Sequence, residues 1–160
     1  MITQLSRRGF ISGTAALSGA VALTSCASTA ARPEASKNMC GFSAPKINKV
    51  RIGIVGLGMR GSGAVNRLAK IADAEIVALC DIRESKVKAS QKTLKRAGVK
   101  AAKEFYGSVN SFKEMCELDL DLVYCCTSWD YHTPISVYAM EHVSHAATEV
   151  PAGKTVEELW

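Results

Sequence analysis

Val50-Arg51-Ile52-Gly53-Ile54-Val55-Gly56-Leu57-Gly58-Met59-Arg60-Gly61 is the stretch on which the fold turns. Its first half is β-branched and nearly continuous in apolar character, the pattern of a parallel strand covered on both faces. The second half is a Gly-x-Gly-x-x-Gly loop, after which Gly63 to Ala72 reads as a helix, with Val65, Leu68 and Ala72 at helical spacing. Glycines cluster in turns for many reasons, so the loop alone says little. What makes it specific is its context: strand before, helix after, and Asp81 20 positions past Gly61. Gly56 permits the tight turn, Gly58 lets backbone come close to a pyrophosphate, and Gly61 allows close helix-to-strand packing. The helix N-terminus offers free N–H groups and partial positive charge to phosphates. Asp81 ends a second buried strand, Glu75-Ile76-Val77-Ala78-Leu79-Cys80, where its carboxylate can accept hydrogen bonds from adenosine ribose hydroxyls. A carboxylate there repels a 2′-phosphate and so favours NAD over NADP. Arg83 pulls the other way, since a nearby arginine can pair with such a phosphate.

Downstream, strand and helix patterns keep alternating. Glu84 to Ala97 is a polar, lysine-rich surface helix stopped by Gly98. A short strand around Glu104 to Tyr106, a helix around Phe112 to Cys116 and a buried strand from Leu120 to Cys126 follow. Thr133-Pro134 reads as a helix start, Thr as N-cap and Pro at the first helical position. Ile135, Tyr138, Ala139 and His142 fall on one face of that helix. His145 to Glu149 is another short strand, and Thr155 with Glu158 forms a capping box that opens a last helix before Trp160. This order predicts an α/β fold, a Rossmann-type doubly wound parallel sheet. In such sheets ligands bind outside the carboxyl ends of the strands. Trp129-Asp130-Tyr131-His132 and Glu149-Val150-Pro151 both lie on that edge and are candidates to line the nicotinamide end of the crevice. For His132, position alone leaves two roles open, ligand contact or a helix-start residue tied to backbone. His142 and His145 flank a turn on the opposite edge and read as structural.

Upstream, residues 1–26 read as an address. Ser6-Arg7-Arg8-Gly9-Phe10-Ile11 precedes a weakly apolar run to Leu23, the mark of twin-arginine export. That run is too short and too rich in Gly, Ser and Thr to span a membrane. Leu23-Thr24-Ser25-Cys26 resembles a bacterial lipoprotein processing site with Cys26 lipidated. Residues 27–46 have linker composition. The expected location is exported, periplasmic or held at the membrane by a lipid anchor. Twin-arginine export moves folded proteins, which suits a chain that loads a soluble cofactor first.

Composition limits the rest. The 160 residues are 48% hydrophobic and 22% charged, ordinary for a globular chain. Setting Arg7 and Arg8 aside leaves 18 basic against 15 acidic residues, a surplus too small to argue for nucleic acid. The six cysteines form no C-x-x-C pair, so neither a zinc site nor a disulfide framework follows. Cys80, Cys125 and Cys126 read as buried small hydrophobes.

Residues 49–160 resemble the N-terminal half of the Gfo/Idh/MocA oxidoreductase superfamily. Within it, Trp129 to Pro134, Tyr138 to His142 and His145 to Ala152 are similar to glycoside hydrolase family 109, the NAD-dependent α-N-acetylgalactosaminidases, as is the twin-arginine signal. The dehydrogenases usually carry Glu-Lys-Pro after this strand, with the lysine taking part in hydride-transfer chemistry. Val150 replaces that lysine and can neither donate nor accept a proton, which separates this chain from a simple sugar dehydrogenase. The resemblance implies NAD contacts from Met59, Arg60, Asp81, Trp129, Asp130, Tyr131, His132, Glu149 and Val150. It also implies an amino-sugar glycan substrate and a glycosidase mechanism outside the two-carboxylate scheme. In that mechanism oxidation at sugar C3 by bound NAD acidifies the C2 proton, elimination expels the leaving group, and water addition with re-reduction restores the cofactor. Two departures stand out. Val143-Ser144 replaces the family's Gly-Lys, and family members continue for a few hundred residues through a substrate domain holding the catalytic acid and base. The resemblance therefore implies a C-terminally truncated Rossmann domain, residues 47–160, whose substrate domain is absent and which is inactive alone. Two other readings stay open, a fragment of an NAD-dependent sugar dehydrogenase and a stand-alone exported NAD-binding module. Against the module stands the apolar sheet surface left uncovered after Pro151.

Overall fold

Each apolar run becomes a strand of one parallel sheet. The structure, a computed structural model, describes residues 45–142 and 145–159. The export signal, Cys26, most of the linker, Val143-Ser144 and Trp160 lie outside the described residues. The strands are β1 (Val50–Val55), β2 (Ala74–Asp81), β3 (Lys103–Tyr106), β4 (Leu122–Cys125) and β5 (His145–Thr148). The helices are α1 (Met59–Leu68), α2 (Glu84–Arg96), α3 (Ser111–Cys116), α4 (His132–His142) and α5 (Val156–Leu159), with a 3₁₀ turn at Trp129–Tyr131. The sheet order is β3-β2-β1-β4-β5 and every pairing is parallel. The predicted doubly wound sheet is present, and the order reverses at β1.

Both faces of the sheet are covered, as the near-continuous apolar strands require. Ile52, Ile54, Ile76 and Leu79 pack with Val65 of α1 and Val87 and Leu94 of α2. On the other face Val55, Ala78, Cys80, Val123 and Cys125 pack with Phe112 and Met115 of α3 and Ile135 and Ala139 of α4. Between β1 and β2 the register slips at Ile52/Gly53, and Val77 is the extra residue. Val77 and Ala78 consequently pack on the same side, as a bulge demands.

Helix boundaries show where local chemistry was read well and where it was not. α2 ends in a Schellman motif: Val99 N donates to Leu94 O at 3.2 Å and Gly98 N to Lys95 O at 3.1 Å. The Thr155–Glu158 capping box forms, with Glu158 N donating to Thr155 Oγ1 at 3.3 Å and Thr155 N to Glu158 Oε2 at 3.4 Å. α1 departs from the expected span. It begins at Met59, inside the glycine loop, and ends at Leu68, so Ala72 lies beyond it. α4 departs too. It starts at His132, prolonging the 3₁₀ turn, and the Thr133 hydroxyl donates to Ala152 O at 2.9 Å instead of capping. A tertiary partner outcompetes the local N-cap, and Pro134 still sits in the first turn, where its missing N–H costs nothing.

Candidate cofactor site

The site lies where β1, β2 and β4 end at one level. Gly56 N donates to Cys80 O at 2.8 Å and Cys126 N donates to Val55 O at 2.8 Å, which lashes the three strand ends together. Gly56 has φ +84 and its would-be Cβ would lie 2.8 Å from the Cys126 carbonyl carbon. Only glycine suits both demands. A Cβ on Gly61 would run into the carbonyl oxygen of Gly56 far inside any allowed contact, so α1 can press onto the loop only without a side chain there. Gly58 differs from both. A Cβ there would meet nothing within 4 Å, because it would project into open space in front of the loop. The first intrahelical bond runs from Ser62 N to Gly58 O at 3.0 Å, which leaves the N–H groups of Met59, Arg60 and Gly61 without intrahelical acceptors. Met59 is 88% exposed, and Arg60 is exposed beside it.

Asp81, 8% exposed, faces this loop from the end of β2. Its Oδ2 accepts from Leu57 N at 2.7 Å and its Oδ1 from Arg83 N at 2.9 Å. The carboxylate thus shapes the glycine loop, a duty the spacing alone did not reveal. Arg83 Nε stands 3.6 Å from Asp81 Oδ1. The arginine is paired with the carboxylate in this structure and does not stand alone as a phosphate receptor.

A cavity of about 490 Å³ opens between Asp81 and the β4–α4 loop. Gly56, Gly58 and Asp81 form its polar end. Ile82, Val109, Phe112 and Ile135 form an apolar slot that also includes Cys126 and Tyr131. Ile82 and Val109 are about half exposed, 54% and 47%, as expected of residues that wait for a flat apolar partner. The sequence reading missed Ile82, Val109 and Phe112. Ile82 sits between Asp81 and Arg83, and Phe112 also belongs to the core beneath α3 and α4.

The second half of the crevice is built by two loops locked to each other. His132 is 1% exposed, with Nδ1 2.7 Å from Pro151 O and Nε2 3.2 Å from Thr127 O. The ring lies between these two backbone carbonyls and its N–H donates to one of them, the backbone-tied geometry of the two open roles. The ring braces the β4–α4 loop against the β5–α5 loop. Thr133 adds the bond to Ala152 O, and Lys154 pairs with Asp130. That ion pair holds the Asp130 carboxyl below its ordinary range and raises the Lys154 ammonium. Trp129, Tyr131 and Val150 remain exposed at 60%, 38% and 84% along the rim, and the Val150–Pro151 peptide is cis. Glu149 accepts a 2.5 Å hydrogen bond from the Tyr124 hydroxyl, and that bond, with burial second, raises the tyrosine pKa. Burial also pushes the Cys126 thiol up to about 11 and the Cys80 thiol up to about 12. His142 stacks on Tyr138 with ring centroids 4.0 Å apart, remote from this edge.

These groups fit a dinucleotide. The open space before Gly58, the free helix N–H groups, a carboxylate beside an apolar slot, and the exposed Trp129, Tyr131 and Val150 supply what a pyrophosphate, a ribose, a base and a second ring require. The chain matches the oxidoreductase family with NAD-binding Rossmann fold over residues 50–159. It belongs to that family. The cofactor of this Rossmann fold is NAD, as in the scyllo-inositol dehydrogenase of Lactobacillus casei, solved with NAD(H) and scyllo-inositol. That structure is 26% identical, with a TM-score of 0.59 over 69% of this chain and 31% of the other. Among curated relatives, a glycosyl hydrolase family 109 protein of Porphyromonas gingivalis is 50% identical over 133 residues, 82% of this chain and 28% of its own. An alpha-N-acetylgalactosaminidase of Bacteroides fragilis is 44% identical over 124 residues, 77% of this chain and 29% of its own. The chain therefore spans under a third of the length of these relatives.

Proposed function

We propose that this family member is the NAD-binding part of an exported glycosidase that cleaves α-N-acetylgalactosaminides. The observation that carries the reading is Val150, exposed on the crevice rim in Glu149-Val150-Pro151, in a chain 44% identical to an alpha-N-acetylgalactosaminidase. A valine there cannot pass a proton to or from an alcohol, so the site lacks the side chain a simple dehydrogenase would use at that position. NAD supplies reversible hydride transfer, and the protein's part is orientation and electrostatics. Gly56, Gly58, Met59, Arg60 and Gly61 hold the pyrophosphate. Asp81 takes the adenosine ribose, and Ile82, Val109 and Phe112 take the adenine. Trp129, Asp130, Tyr131, Glu149 and Val150 line the nicotinamide half, with His132 acting through the loops it braces. In this reading the acid and base groups lie in the part of the longer relatives that this chain does not span.

The reading is tested with the longest open reading frame that contains this chain, given an aryl α-N-acetylgalactosaminide while NADH absorbance is followed. Aryl release without NADH accumulation is the expected result. NADH accumulation with a free sugar and no cleavage would instead establish the sugar dehydrogenase and sink the glycosidase. Export and anchoring are part of the proposal. Arg7→Lys with Arg8→Lys should trap the protein in the cytoplasm, and Cys26→Ala should free it from the membrane fraction.

A further inference from the structure

We infer that Tyr124 is a positioning residue of the cofactor site: it holds the Glu149 carboxylate in place from the neighbouring strand. The inference rests on the reading of Glu149 as a cofactor contact. The sheet register explains why these two side chains meet. Tyr124 on β4 pairs with Ile54 on β1 and with Ala147 on β5. Glu149 lies two residues past Ala147, hence on the same face as Tyr124 and diagonal to it. Ala147 is too small to block the path, so the phenol reaches past it and its O–H donates to Glu149 Oε1 at 2.5 Å. The Glu149 N–H is also tied, to Cys125 O at 3.2 Å, so backbone and side chain of Glu149 are both fixed by β4. Cys126 follows Tyr124 by two residues, just past the end of β4. Cys126 is the wall against which the loop closes: its backbone meets the would-be Cβ of Gly56, and its own Cβ lies 3.4 Å from that of Gly61. Tyr124 therefore stands on β4, between β5, which leads into Glu149, and β1, which leads into the glycine loop.

A hydroxyl in this position does what packing alone does not. It gives the Glu149 carboxylate a fixed hydrogen-bond donor from the neighbouring strand. Without it the carboxylate would be free to rotate and to take up water. Phenylalanine would fill the same volume against Ile54 and Ala147 and lose only that donor.

The test measures NAD binding by fluorescence titration on the 160-residue chain, with Tyr124→Phe, Glu149→Gln and the double variant. Glu149→Gln should weaken binding by about tenfold and Tyr124→Phe by about fivefold, the scale of one charge-assisted hydrogen bond felt directly or through a neighbour. The double variant should bind no worse than Glu149→Gln, because Tyr124 acts only through that carboxylate. If Glu149→Gln binds NAD like wild type, the cofactor reading of Glu149 falls and this inference with it. Should Glu149→Gln weaken binding while Tyr124→Phe does not, or should the two effects simply add, the reading stands and the inference is overturned. A second readout leaves position 124 intact. Tyr124 should be missing from the tyrosinate absorbance that develops below about pH 11 in wild type and should join it in Glu149→Gln. An unchanged titration in Glu149→Gln would refute the link independently of affinity.

Discussion

The three glycines of the loop look alike in sequence and are not alike in space, which yields a sharp prediction. Gly61→Ala places a methyl against the Gly56 carbonyl oxygen, so it should lower stability by several kcal/mol, on the order of a badly overpacked core site. Gly58→Ala meets nothing, so thermal melting should shift by no more than the equivalent of about 1 kcal/mol, while NAD titration should show binding reduced by at least about tenfold. If Gly58→Ala kept wild-type affinity, the open space before Gly58 would not be the phosphate site. Asp81→Ala tests the same loop from the other side. It removes the acceptor of the Leu57 N–H, an unmet buried donor worth about 1–3 kcal/mol. It also removes the barrier to a 2′-phosphate, so NAD affinity should fall and the NADP to NAD ratio should rise. Strand, loop, helix and Asp81 were legible because their chemistry is local and their spacing fixed. Ile82, Val109 and Phe112 were not, because an apolar slot lined by three separate segments leaves no period along the chain.

At the scale of elements, boundaries were legible wherever the deciding bonds are local. Gly98 and the Thr155–Glu158 box behave as read because every partner lies within five residues. The starts of α1 and α4 were displaced because distant groups decide them. α1 begins at Met59 because Gly61 lets the helix touch the turn. α4 begins at His132 because that ring and the Thr133 hydroxyl are drawn to the β5–α5 loop, 19 residues on. The sequence left the role of His132 open for the same reason, since a brace and a ligand look identical until the second loop is placed. His132→Ala should therefore loosen two loops at once. Losing a fully buried ring and its contacts should cost about 2–4 kcal/mol by urea unfolding. NAD affinity should drop with no direct contact removed. Lys154→Ala, which cuts only an exposed ion pair to Asp130, should change stability by less than about 1 kcal/mol and serves as the control.

Across the described residues the sheet separates two apolar cores, and the one beneath α3 and α4 carries the described thiols. Cys80, Cys116 and Cys125 lie within it, and Cys126 borders it beside the cavity; all four are free and buried. The reading of Cys80, Cys125 and Cys126 as small hydrophobes needed only the apolar context of each run, so it was legible without the fold. Burial holds these groups neutral, raising Cys80 from 9.0 to about 12 and Cys116 and Cys126 to about 11. For Cys80 the neighbouring Asp81 charge adds to burial. The sign of the linkage follows. Above the unfolded thiol pKa the unfolded chain has given up protons that the folded chain keeps, so stability falls as pH rises. The contribution is complete below about pH 9 and is lost on the way to about pH 11–12, by about 1.4 kcal/mol per pH unit for each participating thiol. Urea unfolding under reducing conditions should therefore show a decline that begins near pH 9 and steepens towards pH 11. Cys80→Ala should lower stability at neutral pH through the cavity it leaves, yet flatten the alkaline slope, because burial raises its thiol further than those of Cys116 and Cys126. A variant whose alkaline slope matched wild type would show that some other group drives the loss, and that the thiols of this core are not the titrating set.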